Sequence, residues 1–136
     1  MSTITEDYVS FETAKLLKKK GFDEQTVRCY NLKKELCACQ CIGDETINST
    51  PNYLIAAPTL QMAMKWLRKK HNLHITTIPY APMDKHPYHP GEADVVYIAQ
   101  LFKGIIPIDE IGRSIIKLTP EEACETAIKY TLENLI

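Results

Sequence analysis

The chain has 136 residues, of which 45% are hydrophobic and 24% are charged, and its formal net charge is −1. These proportions are typical of a globular protein and exclude an intrinsically disordered chain. The near-zero net charge excludes a general electrostatic attraction to nucleic acids or membranes. A chain of this length predicts one domain, covering residues 1–136.

The beginning of the chain predicts a cytoplasmic protein. Its first seven residues are polar and acidic, without the basic start and apolar middle of a signal peptide. No apolar run approaches the ~20 residues that a membrane-spanning helix needs. We therefore expect no membrane association, and we expect the five cysteines to be reduced thiols.

Three helices are predicted from capping residues and apolar spacing. The first covers about residues 8–22, with Ser10 as its N-cap and Gly21 at its end. The second covers about 58–70, and its wide apolar stripe predicts burial beneath a sheet. The third begins after Thr119, where a proline and then a glutamate at the third helical position predict a capping box.

The strands are predicted from β-branched and apolar runs. The segment 31–35 fits a hairpin connection between the first two runs, and 53–57 is either a short strand or an apolar lead-in. Residues 95–102 are apolar on both faces, which predicts a central strand. Segments 79–91 and 109–112 are predicted to be irregular. The runs lie at 26–30, 36–41, 73–78, 95–102, 105–108 and 113–118.

The predicted elements follow the order α-β-β-α-β-β-β-α. This order is typical of an α+β fold, in which helices cover one side of an antiparallel sheet. We therefore expect a mostly antiparallel sheet with three helices packed on one face.

Three stretches of the sequence resemble a known group of proteins. They are YVSFETAKLL with KGFDE (8–17 and 20–24), APTLQMAMKWLR (57–68), and EEA with AIKYTLENLI (121–123 and 127–136). They are similar to an uncharacterised family of small proteins encoded by Bacteroides-type gut bacteria and by their phages and mobile elements. The resemblance implies a shared helical scaffold and carries no activity to any residue.

Cysteines alternate along the second predicted strand, at Cys37, Cys39 and Cys41. A spacing of two places the three thiols on one face of a strand, about 6–7 Å apart. The pattern lacks the two-residue spacer of a zinc knuckle or of a thioredoxin-like pair. It favours small buried hydrophobic side chains. A metal or redox role stays open.

Two histidines, His86 and His89, lie in a proline-rich segment and could add ligands to a metal site. The sequence contains no helical HExxH motif, so it favours solvated or capping histidines. We predict no cofactor.

Basic residues cluster near the ends of the first two predicted helices. If the two ends lie side by side, they could bind a phosphate backbone. Complementing the helix dipoles, together with ordinary solvation, also explains them, and the near-neutral total charge favours that explanation. The candidate nucleic-acid contacts are Lys18, Lys19, Lys20, Lys65, Arg68, Lys69 and Lys70.

The sequence contains no glycine-rich phosphate loop and no nucleophile elbow, and it favours a non-enzymatic protein. Tyrosines and rigid prolines near residues 79–91 provide contact area at a low entropic cost. The candidate contacts are Tyr80, His86, Tyr88 and His89. We expect an accessory or interaction protein of a bacterium, phage or mobile element, with a protein partner or self-association. The alternatives are a nucleic-acid-binding protein and a small metal-binding domain.

Overall fold

The helices begin at side-chain caps, as the sequence predicts. In the computed structural model, which describes residues 3–40, 43, 45–49, 53–80, 95–108 and 115–136, Ser10 accepts a hydrogen bond from the Thr13 backbone N–H. Thr59 and Thr119 cap the other two helices in the same way. The first helix ends before Gly21, whose φ of 93° suits glycine. The helices are α1 (Phe11–Lys19), α2 (Leu60–His71) and α3 (Pro120–Asn134).

The strands form two antiparallel sheets, and the predicted α+β class and element order are confirmed. The segment that the sequence left open at 53–57 contains a strand of two residues, and each of the last two predicted runs is reduced to two residues. The turn predicted at 109–112 lies outside the described residues. The strands are β1 (Arg28–Tyr30), β2 (Leu36–Ala38), β3 (Ile55–Ala56), β4 (Leu73–Tyr80), β5 (Val96–Lys103), β6 (Ile106–Pro107) and β7 (Ile116–Lys117).

The first sheet has the order β2-β1-β3 and contains the predicted hairpin. In the second sheet, β5 pairs with β4 on one side and with both β6 and β7 on the other. The prediction that residues 95–102 form a central strand is therefore confirmed. Among the described strands, β4 pairs only with β5, which makes it an edge strand.

Helices α2 and α3 cover the inner face of the second sheet. This face consists of alternate residues, and Leu73, Ile75, Ala99 and Leu101 are all buried on it. Helix α1 packs on α3 and on β3, which joins the first sheet to the same core. The helices therefore leave the opposite face of the second sheet uncovered.

Candidate functional site

The outer face of the second sheet forms apolar rows across the strands. The register of β4 and β5 places Ile78 opposite Ile98. On the other side of β5, Ile116 lies opposite Ile98. Since residues directly opposite one another in a sheet share a face, the three isoleucines form one row across β4, β5 and β7. Tyr80 and Val96 form the next row, in which Tyr80 is exposed and Val96 is buried.

We call this surface the outer face. It contains residues that normally avoid water: Ile78 is 41% exposed, Tyr80 46% and Ile116 47%. Its members carry no Asp, Glu, Lys or Arg side chain. A contiguous exposed apolar patch is typical of a contact surface. The outer face consists of His74, Thr76, Ile78, Tyr80, Val96, Ile98, Gln100, Phe102 and Ile116.

Part of the predicted contact loop belongs to this face. The sequence places Tyr80 in an irregular segment, whereas the structure extends β4 through it, because the strand pairs with β5 over its whole length. The other predicted contacts, His86, Tyr88 and His89, lie outside the described residues.

The free edge of β4 exposes backbone groups. On β5, Ala99 and Leu101 hydrogen bond toward β7 and β6, so their even-numbered neighbours bond to β4. The odd-numbered residues of β4 therefore direct their backbone groups away from β5. In the described part of the chain, no backbone hydrogen bond joins this edge to another segment. Pro79 lies at one of these outward positions, which suits a residue without an N–H group.

The first sheet brings three thiols together. Cys29 on β1 lies directly opposite Cys37 on β2, and their Sγ atoms are 3.6 Å apart. The Cys39 thiol also interacts with Cys29 and donates to the carbonyl oxygen of Thr26 at 3.4 Å. Burial, followed by contact with the Cys37 and Cys39 thiols, raises the pKa of Cys29 to about 12. Cys29 therefore stays protonated at neutral pH.

The sequence analysis singled out Cys37 and Cys39 but missed Cys29. The signal was present in the hairpin, because a connection centred on residue 33 places residue 29 opposite residue 37. Cys41, His86 and His89 lie outside the described residues. Within the described ranges, no group of three or more His, Cys, Asp or Glu side chains could hold a metal ion.

The basic residues of α2 line a groove of about 230 Å³. Lys65, Lys69 and Lys70 border it together with Trp66 and Glu24. The Trp66 ring is only 6% exposed, so it presents little surface on which a base could stack.

The α1 lysines lie elsewhere. Lys18 donates to the carbonyl oxygen of Leu54, and Lys20 donates to the backbone oxygen of Ile136. Among the described residues, the lining of the α2 groove includes none of α1. The structure thus brings three of the seven predicted nucleic-acid contacts together in one groove and ties Lys18 and Lys20 to other parts of the fold.

A half-buried carboxylate that the sequence analysis missed joins helix α3 to the start of helix α1. Glu125 on α3 accepts three hydrogen bonds at Oε1, from the Ser10 N–H at 3.2 Å, the Ser10 hydroxyl at 2.5 Å and the Thr13 hydroxyl at 2.5 Å. Its Oε2 atom is buried and has no hydrogen-bond partner among the residues that the structure describes. Burial, and then the charge of Glu125, raises the pKa of nearby Tyr30. No local sequence signal predicts this contact, because Glu125 lies 115 residues from Ser10.

No protein-family model matches the chain, and comparisons with curated proteins and with solved structures found no significant match. In the described part of the chain, no helix is long and apolar enough to span a bilayer.

Proposed function

We propose that the chain is a non-enzymatic accessory protein that acts by self-association through its outer face. The isoleucine row of β4, β5 and β7 carries this proposal, because Ile78 and Ile116 are exposed on either side of the half-buried Ile98. Water contact with so much apolar side chain is unfavourable, and covering it would release about 25 cal/mol for each Å² of apolar surface. The surface is flat and formed by regular strands, so it suits the face-to-face packing of two sheets.

A second copy of the chain is the occupant that this surface fits best. In a twofold dimer both copies contribute the same face, so charges of one sign on that face would oppose like charges on the partner. The outer face has no Asp, Glu, Lys or Arg side chain, and the whole chain has a net charge of only −1. Neither local nor overall repulsion therefore opposes the pairing of two copies.

The size of the face predicts a weak dimer. Strands of eight residues such as β4 and β5 are about 26 Å long, and three neighbouring strands are about 14 Å wide. The resulting flat area of roughly 360 Å² per copy is below the ~800 Å² that each partner buries in a stable complex. We expect self-association that depends on concentration rather than an obligate dimer.

The proposed setting is a bacterium, a phage or another mobile element. Its only support is the resemblance of the three helical stretches described above. The outer face lies outside those stretches, so self-association could differ between chains that share the scaffold.

Sedimentation velocity over a concentration series tests the proposal. We expect the wild-type protein to shift from monomer toward dimer as the concentration rises. Changing Ile78→Lys brings a charged side chain from each copy into the apolar interface, where it loses contact with water. The change should weaken association at least about tenfold, which corresponds to about 1.4 kcal/mol. Since Ile78 is already 41% exposed, the monomer should tolerate a lysine there.

The matched control is Leu32→Lys, because Leu32 is 74% exposed and lies in the hairpin connection of the other sheet. This variant should associate as the wild type does. A wild-type protein that stays monomeric throughout the series would contradict the proposal, and so would an equal loss of association in both variants. Far-UV circular dichroism verifies that each variant keeps its fold.

A further inference from the structure

The hairpin of the first sheet contains a pair of thiols in a position suited to bond formation. Cys29 and Cys37 lie directly opposite each other, and their Sγ atoms are 3.6 Å apart. The flanking bonds, from Asn31 N–H to Glu35 and from Cys39 N–H to Val27, place the pair at a hydrogen-bonded position of the ladder. At such positions the Cα atoms are about 5.5 Å apart, within the range that disulfides span.

We propose that Cys29 and Cys37 form a thiol-oxidation site, which closes into a cross-strand disulfide when a small disulfide such as glutathione disulfide reacts at Cys37. The sulfurs must approach by about 1.5 Å to reach the ~2.05 Å of a disulfide bond. The Cα separation already lies within the disulfide range, and the Cβ atoms, about 5.5 Å apart at a hydrogen-bonded position, must approach to about 4.5 Å.

The different exposure of the two thiols sets the order of the reaction. Cys37 is half-buried, whereas Cys29 is 0% exposed, so an oxidant in solution reaches Cys37 first. The Cys37 thiolate attacks one sulfur of glutathione disulfide, which breaks the S–S bond and releases one glutathione thiolate. A mixed disulfide between Cys37 and the second glutathione results.

Cys29 completes the exchange. It gives up its proton, its sulfur attacks the Cys37 sulfur, and the second glutathione thiolate leaves. The two thiols of the chain are oxidised by two electrons, glutathione disulfide is reduced to two glutathione molecules, and the two released protons appear on the two leaving thiolates. No other co-reactant is needed.

The burial of Cys29 favours the product over the intermediate. A buried thiolate is unfavourable, and this is why the pKa of Cys29 is raised to about 12. The disulfide has no charge, so burial does not oppose it. The high pKa slows the closing step but does not weaken the bond once it has formed.

Cys39 is the competing thiol, and the geometry disfavours it. Along a strand, residues two apart have Cα atoms about 6.6 Å apart, near the upper limit for a disulfide. The Cys39 thiol also donates to the Thr26 carbonyl oxygen, away from Cys37. Across the ladder, Cys39 is only the diagonal neighbour of Cys29, and such neighbours are about 7–8 Å apart, beyond the Cα separation of a disulfide. We therefore expect the link to join Cys29 to Cys37 and not to include Cys39.

The test is to treat the reduced protein with glutathione disulfide and to measure its intact mass under denaturing conditions. We expect a loss of two hydrogen atoms without a lasting glutathione adduct, and a peptide map that links the fragments of Cys29 and Cys37. Cys39→Ser and Cys124→Ser should form the same link. Under the same treatment, Cys37→Ser should lose its free thiols about tenfold more slowly than the wild type does.

In Cys29→Ser the glutathione adduct on Cys37 should persist, because no thiol opposes it across the ladder. The wild-type peptide map decides the question even if this buried substitution prevents folding. A lasting adduct in the wild type, a link through Cys39 or Cys41, or no reaction would each overturn the proposal. The site is independent of the outer face, so Ile78→Lys should oxidise as the wild type does.

Discussion

The carboxylate of Glu125 completes the cap of a helix to which it does not belong. In a capping box, a glutamate at the third helical position accepts from the N-cap N–H group. In α1 that position is Thr13, and Glu125 of α3 takes the role instead by accepting from the Ser10 N–H at 3.2 Å. Replacing Glu125 by alanine should therefore destabilise both the start of α1 and its packing on α3.

The size of the effect follows from the bonds at Oε1. Hydrogen bonds to a charged group contribute about 1.5–3 kcal/mol each, and because three of them share one oxygen we take the lower figure for each. Removing Oε2, which is buried and has no partner within the described ranges, returns about 1.5 kcal/mol. Ser10 still accepts from the Thr13 N–H, so the local cap survives. We expect Glu125→Ala to lose about 3 kcal/mol of unfolding free energy.

Urea unfolding followed by the fluorescence of Trp66 measures this loss, because the chain has one tryptophan and it is only 6% exposed. Glu125→Gln keeps an acceptor oxygen and should lose about 1 kcal/mol. Glu133→Ala is the control, since Glu133 is exposed on the same helix and should change stability by less than about 0.5 kcal/mol. A Glu125→Ala variant within about 0.5 kcal/mol of the wild type would refute the reasoning.

Two further predictions concern alkaline stability and anion binding. The pKa of Cys29 is higher in the folded chain, about 12 against 9.0. The protonated thiol therefore contributes fully to the free energy of unfolding below pH 9. This contribution is lost as the pH rises toward 12, by up to about 1.4 kcal/mol for each pH unit. Urea unfolding at several alkaline pH values should show a shallower decline in Cys29→Ser, and parallel declines would contradict this. On heparin we expect only weak retention, because Glu24 lies in the basic groove. Strong, salt-sensitive retention that is lost when Lys69 and Lys70 become glutamate would instead favour nucleic-acid binding.

Local signals predicted the helices, because the information that starts and ends a helix lies within a few residues. Ser10 and Thr119 are confirmed as N-caps, and Gly21 follows the end of α1 with a positive φ. The hairpin was predicted for the same reason, since its two strands are joined by a short polar segment.

The separation into two sheets could not be predicted, because strand pairing joins segments that are distant in sequence. Nothing local in residues 53–57 indicates that Ile55 pairs with Tyr30 rather than with a strand of the second sheet. The outer face also depends on pairing between strands that are distant in sequence. The isoleucine row exists only because the register aligns Ile78, Ile98 and Ile116, and no one of these residues is unusual in its own segment.

The contact between Ser10 and Glu125 also affects how the chain is made. A ribosome synthesises α1 before α3, and the two residues are separated by 115 positions. Until α3 emerges, the Ser10 N–H and the two hydroxyls that later bind Glu125 depend on water. The start of α1 is therefore completed only after α3 has been made, and a chain stalled before residue 125 would present an incompletely capped α1 to chaperones and proteases.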